Sequence, residues 1–352
     1  MRERRSQAFR GEWTDIPREY PDAHSCLVVL VLARHNGVTP MKTINSTWFA
    51  TAMPAAVGFG LAALCVQGIH FYGWSLFLGL PVVVGFLSAF CLSFRREVSK
   101  AAAFKVATMS VLLLGGLILG FAMDGIICLL IAFPLALCFA IPAAALGRLA
   151  GSACGRGVRS ALPLLIVFLF PGLVAFDYAS KPGPPVRSVT TSVIVHAPIE
   201  QVWEGVVAFP KITEPPSGIF CLGIAYPIEA RIEGSGVGAV RHCIFSTGSF
   251  VEPITIWQQP GLLAFDVRSS PSPMKELSPY EQVSAPHLHG HMNSQRGQFR
   301  LVERGGEVVL EGTTWYTHTL APQWYWGPIS DYMIHRIHER VLNHIRRTVE
   351  GN

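Results

Sequence analysis

Charge is what this chain has least of. Of its 352 residues only 14% are Asp, Glu, Lys or Arg, against 50% hydrophobic, and the mean hydropathy is +0.38. That excludes a disordered chain, and an ordinary water-soluble enzyme needs more charge to cover its surface. The net charge of +5 is unevenly placed: residues 1–40 contribute +1, 41–183 contribute +6 and 184–352 contribute −2. A basic excess confined to the most apolar part is not a nucleic-acid footprint, so no nucleic-acid partner is expected despite a pI of 8.8. Catalytic signatures are missing too. The chain has no GxSxG, no CxxC and no HExxH, which removes the nucleophile-elbow, dithiol and zinc-hydrolase readings.

What is present instead is a set of uncharged apolar stretches at 48–67, 74–94, 106–123, 125–147 and 160–176. At about 1.5 Å per residue, about 20 residues cross a hydrocarbon core of about 30 Å, so residues 41–178 read as a bundle of about five membrane-spanning helices. Prolines at 54, 81, 134 and 142 are tolerable there, because neighbouring helices re-satisfy the freed carbonyls. Lys and Arg follow the second stretch (Arg95, Arg96, Lys100, Lys105) and the fourth (Arg148, Arg156, Arg159), while the turn at His70 and Phe71 has none. The positive-inside rule then places the N-terminus in the cytoplasm and everything after Asp177 outside a bacterial inner membrane. The fifth stretch is the shortest and carries Pro163 and Pro171; if it does not cross, the C-terminal part is cytoplasmic.

No stretch contains Asp, Glu, Lys or Arg, which disfavours a pump or ion-coupled transporter. Asp124 reads as a helix-hairpin turn at the outer interface. Gly116 and Gly120 form a GxxxG that could seat a neighbouring helix. Residues 1–40 lack periodicity and read as a dispensable or mis-started extension, with Met41 a natural start.

The proline-rich run at 179–187 breaks the helical pattern and marks a boundary. Beyond it, period-two segments at 188–196, 224–233, 238–246, 250–257, 262–267, 298–303 and 308–318 predict an antiparallel sheet of seven strands. Two helices frame it. One runs over 199–208 after Pro198, and a long one over 323–348 carries Ile329, Met333, Ile337, Val341 and Ile345 at helical spacing. This order is α+β, and the long helix must bury its stripe against the sheet.

Val193 to Trp203 (VIVHAPIEQVW), the glycine hairpin leading into Arg241, and the long terminal helix together resemble the SRPBCC superfamily, also called START-like or polyketide-cyclase-like. Further segments, FVEPI at 250–254, TTWYTH at 313–318 and IHRIHERV at 334–341, are similar to uncharacterised bacterial multi-span membrane proteins with such a domain at the C-terminus. The resemblance covers residues 188–352. It implies a helix-grip fold whose sheet wraps the long helix around a cavity for an apolar ligand.

Alternation along the last strand puts Thr314, Tyr316 and His318 on the face of Leu310, so these become candidates to line that cavity. Their plainer use is hydrogen bonding to the helix or strand ends. Glu252 is either a buried acid with a raised pKa or part of a solvated edge, and Arg241 pairs with it only if the two share a face. Tyr226 completes the candidate ligand set. Trp324, Tyr325 and Trp326 are candidates for a membrane-interface anchor or for closing the cavity mouth. His287, His289 and His291 alternate in a loop without nearby Cys, Asp or Glu at tight spacing, and no metal or other cofactor is expected. Cys221 and Cys243 could pair only within about 7 Å between Cα atoms.

These residues point to a membrane-anchored binding protein for a lipid or other apolar small molecule, its partners being the bilayer and that ligand. The alternatives are a cyclase-like enzyme using His318 or Glu252 as acid or base, and a ligand sensor or assembly factor acting on a membrane-protein partner or a second copy.

Overall fold

Ser46 begins the first long helix by accepting the Phe49 N–H on its hydroxyl, which satisfies one of the donors that a helix start leaves open. The structure, a computed structural model, describes residues 46–70, 72–94, 96–158, 161–180, 183–280 and 290–351. The expected N-terminal extension, and His287 and His289, lie outside the described residues.

Helix α1 (Thr47–Ala63) runs on through a π turn to Gly68, and a second π turn (Ser75–Gly79) leads into α2 (Leu80–Ser93). Then come α3 (Lys100–Gly120), α4 (Ile126–Gly155) and α5 (Leu162–Ala179). All five helical segments are long and apolar enough to cross a membrane. Helix α4 outruns the expected stretch and takes Arg148 into its last turns.

Helices α2 and α4 meet backbone to backbone. A Cβ on Gly85 would fall 2.2 Å from the Ala140 carbonyl oxygen, and one on Gly147 2.2 Å from that of Phe86. Without a hydrophobic force between helices in lipid, such close approach and buried hydroxyls hold a bundle together. Ser88 donates to the Val84 carbonyl and Ser110 to the Thr51 carbonyl, and the two hydroxyls lie 2.8 Å apart, joining α1, α2 and α3. Gly116 and Gly120, the expected seat, meet nothing within 4 Å.

The two ends of the bundle differ. At one end Arg148, in the last turns of α4, donates to the Val98 carbonyl, so this part of α4 lies beside the segment after α2. At the other, Asp177 near the end of α5 accepts from Trp74 N at 2.9 Å, Ser75 N at 2.8 Å and Ser75 Oγ at 2.7 Å, capping the helix that leads into α2. The sheet region docks on this second end. Ala321 N donates to Tyr72 O, Ile126 N to Leu277 O, and the Tyr280 hydroxyl to Gly120 O.

Seven strands, β1 (Arg187–Val195), β2 (Pro227–Glu233), β3 (Val240–Phe245), β4 (Gly248–Gln258), β5 (Leu262–Asp266), β6 (Met292–Arg304) and β7 (Glu307–His318), form one antiparallel sheet in the order β1-β7-β6-β5-β4-β3-β2. Helix α6 (Ile199–Val207) and the long α7 (Gln323–Glu350) fill its concave face. Strand β6 is twice the expected length. Its first half, Met292 to Gly297, lacks apolar alternation and is recruited by pairing with β7.

Val202, Trp203 and Val206 of α6 pack with Val341, Leu342 and Ile345 of α7 over Val195, Leu263 and Leu310. Each such side chain contributes about 1.5–3 kcal/mol by leaving water. The expected stripe on α7 is split. Val341 and Ile345 face the sheet, whereas Met333 and Ile337 also touch a cluster with Ile127 of α4 and Met274, because α7 lies between sheet and bundle.

Candidate functional site

The hairpin between β3 and β4 places Arg241 directly opposite Glu252. Both are buried, at 1% and 6% exposure, and the Arg241 guanidinium donates to Glu252 Oε2 through Nη1 and to the Val207 carbonyl through Nε at 3.3 Å. The rings of Phe209, Phe265 and Phe299 lie 5.4–5.8 Å from the guanidinium carbon. Among the described residues Nη2 has no hydrogen-bond partner. Burial pushes the Glu252 carboxyl up against the opposing pull of Arg241. The interior that the resemblance assigns to a ligand is thus occupied by an ion pair and aromatic rings. A void of about 80 Å³ lies beside Phe265, Thr314 and His338.

Two of the three candidates on β7, Thr314 and Tyr316, spend their polar atoms on α7. Thr314 Oγ1 lies 2.8 Å from His338 Nε2, and Thr191 of β1 bridges His335 and His338 at 2.7 and 3.2 Å. Burial, helped by His335, depresses His338 to about 4. The Tyr316 hydroxyl donates to Asp331 at 2.7 Å, and Asp331 also holds Arg187. Burial would raise Asp331, but hydrogen bonds from Arg187 and Tyr316 outweigh it and hold the carboxyl below its usual range. His318 is 1% exposed, and among the described residues neither ring nitrogen has a hydrogen-bond partner. Burial and then the Arg187 charge push its pKa down. Tyr226 sits apart, its ring 5.3 Å from the Arg340 guanidinium carbon and edge-on to Phe220.

The aromatic triplet divides its roles. Trp324 is 60% exposed, the Tyr325 hydroxyl donates to Ile131 O of α4 at 2.6 Å, and Trp326 is buried with its ring 4.9 Å from Phe77. Trp326 and Leu320 close one end of a cavity of about 420 Å³, whose walls are α1 to α4. Gly115 and Gly116 line it, and a Cβ on either would meet open space. The lining is almost wholly apolar, with Asp124 and Cys128 part of it. Asp124 accepts from Gly125 N at 2.8 Å, and burial pushes its carboxyl up to about 7. Cys128 reaches Glu276, in the segment between β5 and β6. This cavity was not legible from the chain, since four helices and the tip of α7 must meet to enclose it.

His291 bonds Thr319 at 2.6 Å. Cys221 and Cys243 are both free thiols, exposed and buried respectively.

Residues 187–350 have the helix-grip arrangement, a seven-stranded half-barrel closed around a long C-terminal helix. No family model and no curated protein matches the chain. Among solved structures it is similar to XoxI from Bacillus cereus, with 13% identity, 46% of this chain and 95% of that one covered, and a TM-score of 0.31. It is likewise similar to norcoclaurine synthase from Thalictrum flavum in complex with dopamine and hydroxybenzaldehyde (13% identity, 48% and 89% covered, TM-score 0.32). A third similar structure is Ara h 8.0201 (10% identity, 48% and 100% covered, TM-score 0.29).

Proposed function

We propose that this chain is a membrane-embedded binding protein for an apolar small molecule or lipid, held between α1 to α4 and the start of α7 rather than inside the sheet. The carrying observation is volume. The cavity in the helical region, about 420 Å³, falls in the 300–1,000 Å³ range of ligand sites, whereas the void beside Phe265 and His338, about 80 Å³, falls well below it. Leu112 and Leu130 line the cavity and are 48% and 65% exposed, so its mouth lies between α3 and α4, on a surface that lipid would cover. A ligand would enter from the bilayer, and the sheet region would cap the cavity through Leu320 and Trp326.

On this reading the sheet region stands outside a bacterial inner membrane. Arg148 of α4 and the segment after α2 lie at one end of the bundle and the sheet docks at the other, which agrees with five crossings and a cytoplasmic N-terminus. A reporter fused after Asn352 that works only outside the cytoplasm is expected to be active. The ligand itself is tested by native mass spectrometry of the full-length protein released from membranes in detergent. A retained apolar adduct is expected, reduced at least tenfold by Gly116→Phe, which fills the cavity. An adduct-free wild type, or an adduct that survives the filling substitution, overturns the reading.

A further inference from the structure

Asp124 and Glu276 are far apart in the chain, yet their carboxylates converge with the Cys128 thiol. One donor atom from each lies within 4.8 Å of the other two. The thiol donates to Glu276 Oε1 at 2.6 Å, and the Met274 thioether sulfur lies 3.9 Å from Cys128 Sγ. Three segments supply these groups: the connection between α3 and α4, the first turn of α4, and the run before Leu277. Backbone bonds hold them in place, from Ile126 N to Leu277 O at 2.9 Å and from Lys275 N to Gly223 O at 2.8 Å. Gly125 makes the convergence sterically feasible, since a Cβ there would fall 1.9 Å from Glu276 Oε2.

The donor types select an ion. Calcium and magnesium prefer all-oxygen shells, whereas a thiol with carboxylates, and a thioether close by, suits a borderline ion such as zinc. We propose that Asp124, Cys128 and Glu276 form a divalent transition-metal site, for Zn²⁺ by donor chemistry, that pins the α3–α4 connection to the segment between β5 and β6. Binding releases the Cys128 thiol proton to solvent, and the thiolate takes its place on the metal. A tetrahedral site with Zn–S of about 2.3 Å and Zn–O of about 2.1 Å has an S···O edge of about 3.6 Å, so the Cys128–Glu276 contact opens by about 1 Å. The fourth position is left to water or to Met274. This inference stands independently of the ligand reading, because the metal would be held by Asp124, Cys128 and Glu276 and needs none of the apolar lining.

The test uses untagged full-length protein in detergent, incubated with Zn²⁺ and then desalted, with bound metal counted by elemental mass spectrometry. One equivalent of zinc is expected, and cobalt substitution is expected to give a thiolate-to-cobalt charge-transfer band. Cys128→Ser and Glu276→Gln should each lower the retained zinc at least tenfold, while Gly116→Phe should leave it unchanged. Wild-type protein that retains no zinc overturns the proposal whatever the variants do. So does a cobalt spectrum without the thiolate band, or full zinc retention by the Cys128→Ser, Glu276→Gln double variant. Loss of the apolar adduct with zinc retained would sink the ligand reading and leave the metal site standing.

Discussion

The sheet region and the helical region exchange the roles their compositions suggest. The sheet region encloses a buried Arg241–Glu252 pair ringed by Phe209, Phe265 and Phe299 and has a void of about 80 Å³, while the region of five helices long and apolar enough to cross a membrane holds a cavity of about 420 Å³. On the concave face of the sheet large side chains such as Trp203, Phe265 and Phe299 take up space, whereas Gly115 and Gly116 leave the wall of α3 bare beside the cavity.

The comparison breaks most sharply at the ion pair. Arg241→Leu strands a buried carboxylate and is expected to cost about 3–5 kcal/mol of stability, while adding Glu252→Leu recovers most of it because a buried pair can be replaced by apolar packing. Denaturant unfolding followed by tryptophan fluorescence reads the difference, and equal losses in the single and double variants would show that the pair does not act as a unit. In the helical region, Gly85→Leu drives a side chain into the Ala140 carbonyl and is expected to cost about 1–3 kcal/mol. Gly116→Leu is expected to be neutral to stability and to lower ligand occupancy. If the two glycine variants unfold alike in a detergent thermal melt, the contrast between packed seam and open cavity is wrong.

The smallest expected effect is on pH. His338 is depressed to about 4 in the folded state against an ordinary value near 6.5, so between these values the unfolded chain binds a proton that the folded chain refuses. Its stabilising contribution is complete above about pH 6.5 and is lost as pH falls toward 4. The groups facing it are Thr191, Thr314 and His335. Acidification from pH 7 to pH 5 is expected to cost about 1–2 kcal/mol, at about 1.4 kcal/mol per pH unit. His338→Gln should flatten that part of the melting profile, and an unchanged profile would remove His338 as its source.

Much of the architecture is readable from residue order. The period-two segments and the α7 stripe locate sheet and helix, because alternation and 3.6-residue spacing are local properties. The Arg241–Glu252 pair was within reach as well: a two-residue turn at Ser246 and Thr247 aligns residue 245 with 248 and therefore 241 with 252. The stripe is incomplete at Met333, which packs with Ile127 of α4, a neighbour from another part of the chain, while Ile337 touches both this cluster and the sheet core. Gly116 and Gly120 misled, since a small residue looks the same in sequence whether a helix covers it or a cavity does. The Asp124, Cys128 and Glu276 cluster left no local signal, and neither did Asp177 capping the helix into α2.

By itself the sequence determined the classes of element and the place of charge: five apolar helices, basic segments at alternate connections, a seven-stranded antiparallel sheet and a long closing helix. Those follow from burial of apolar faces and from the cost of charge in lipid, which act residue by residue along the chain. Only the tertiary structure decided where space remains and which polar groups meet. Volume depends on how side chains from distant segments interdigitate, and an ion pair or a metal site depends on Å-scale convergence that no local periodicity encodes.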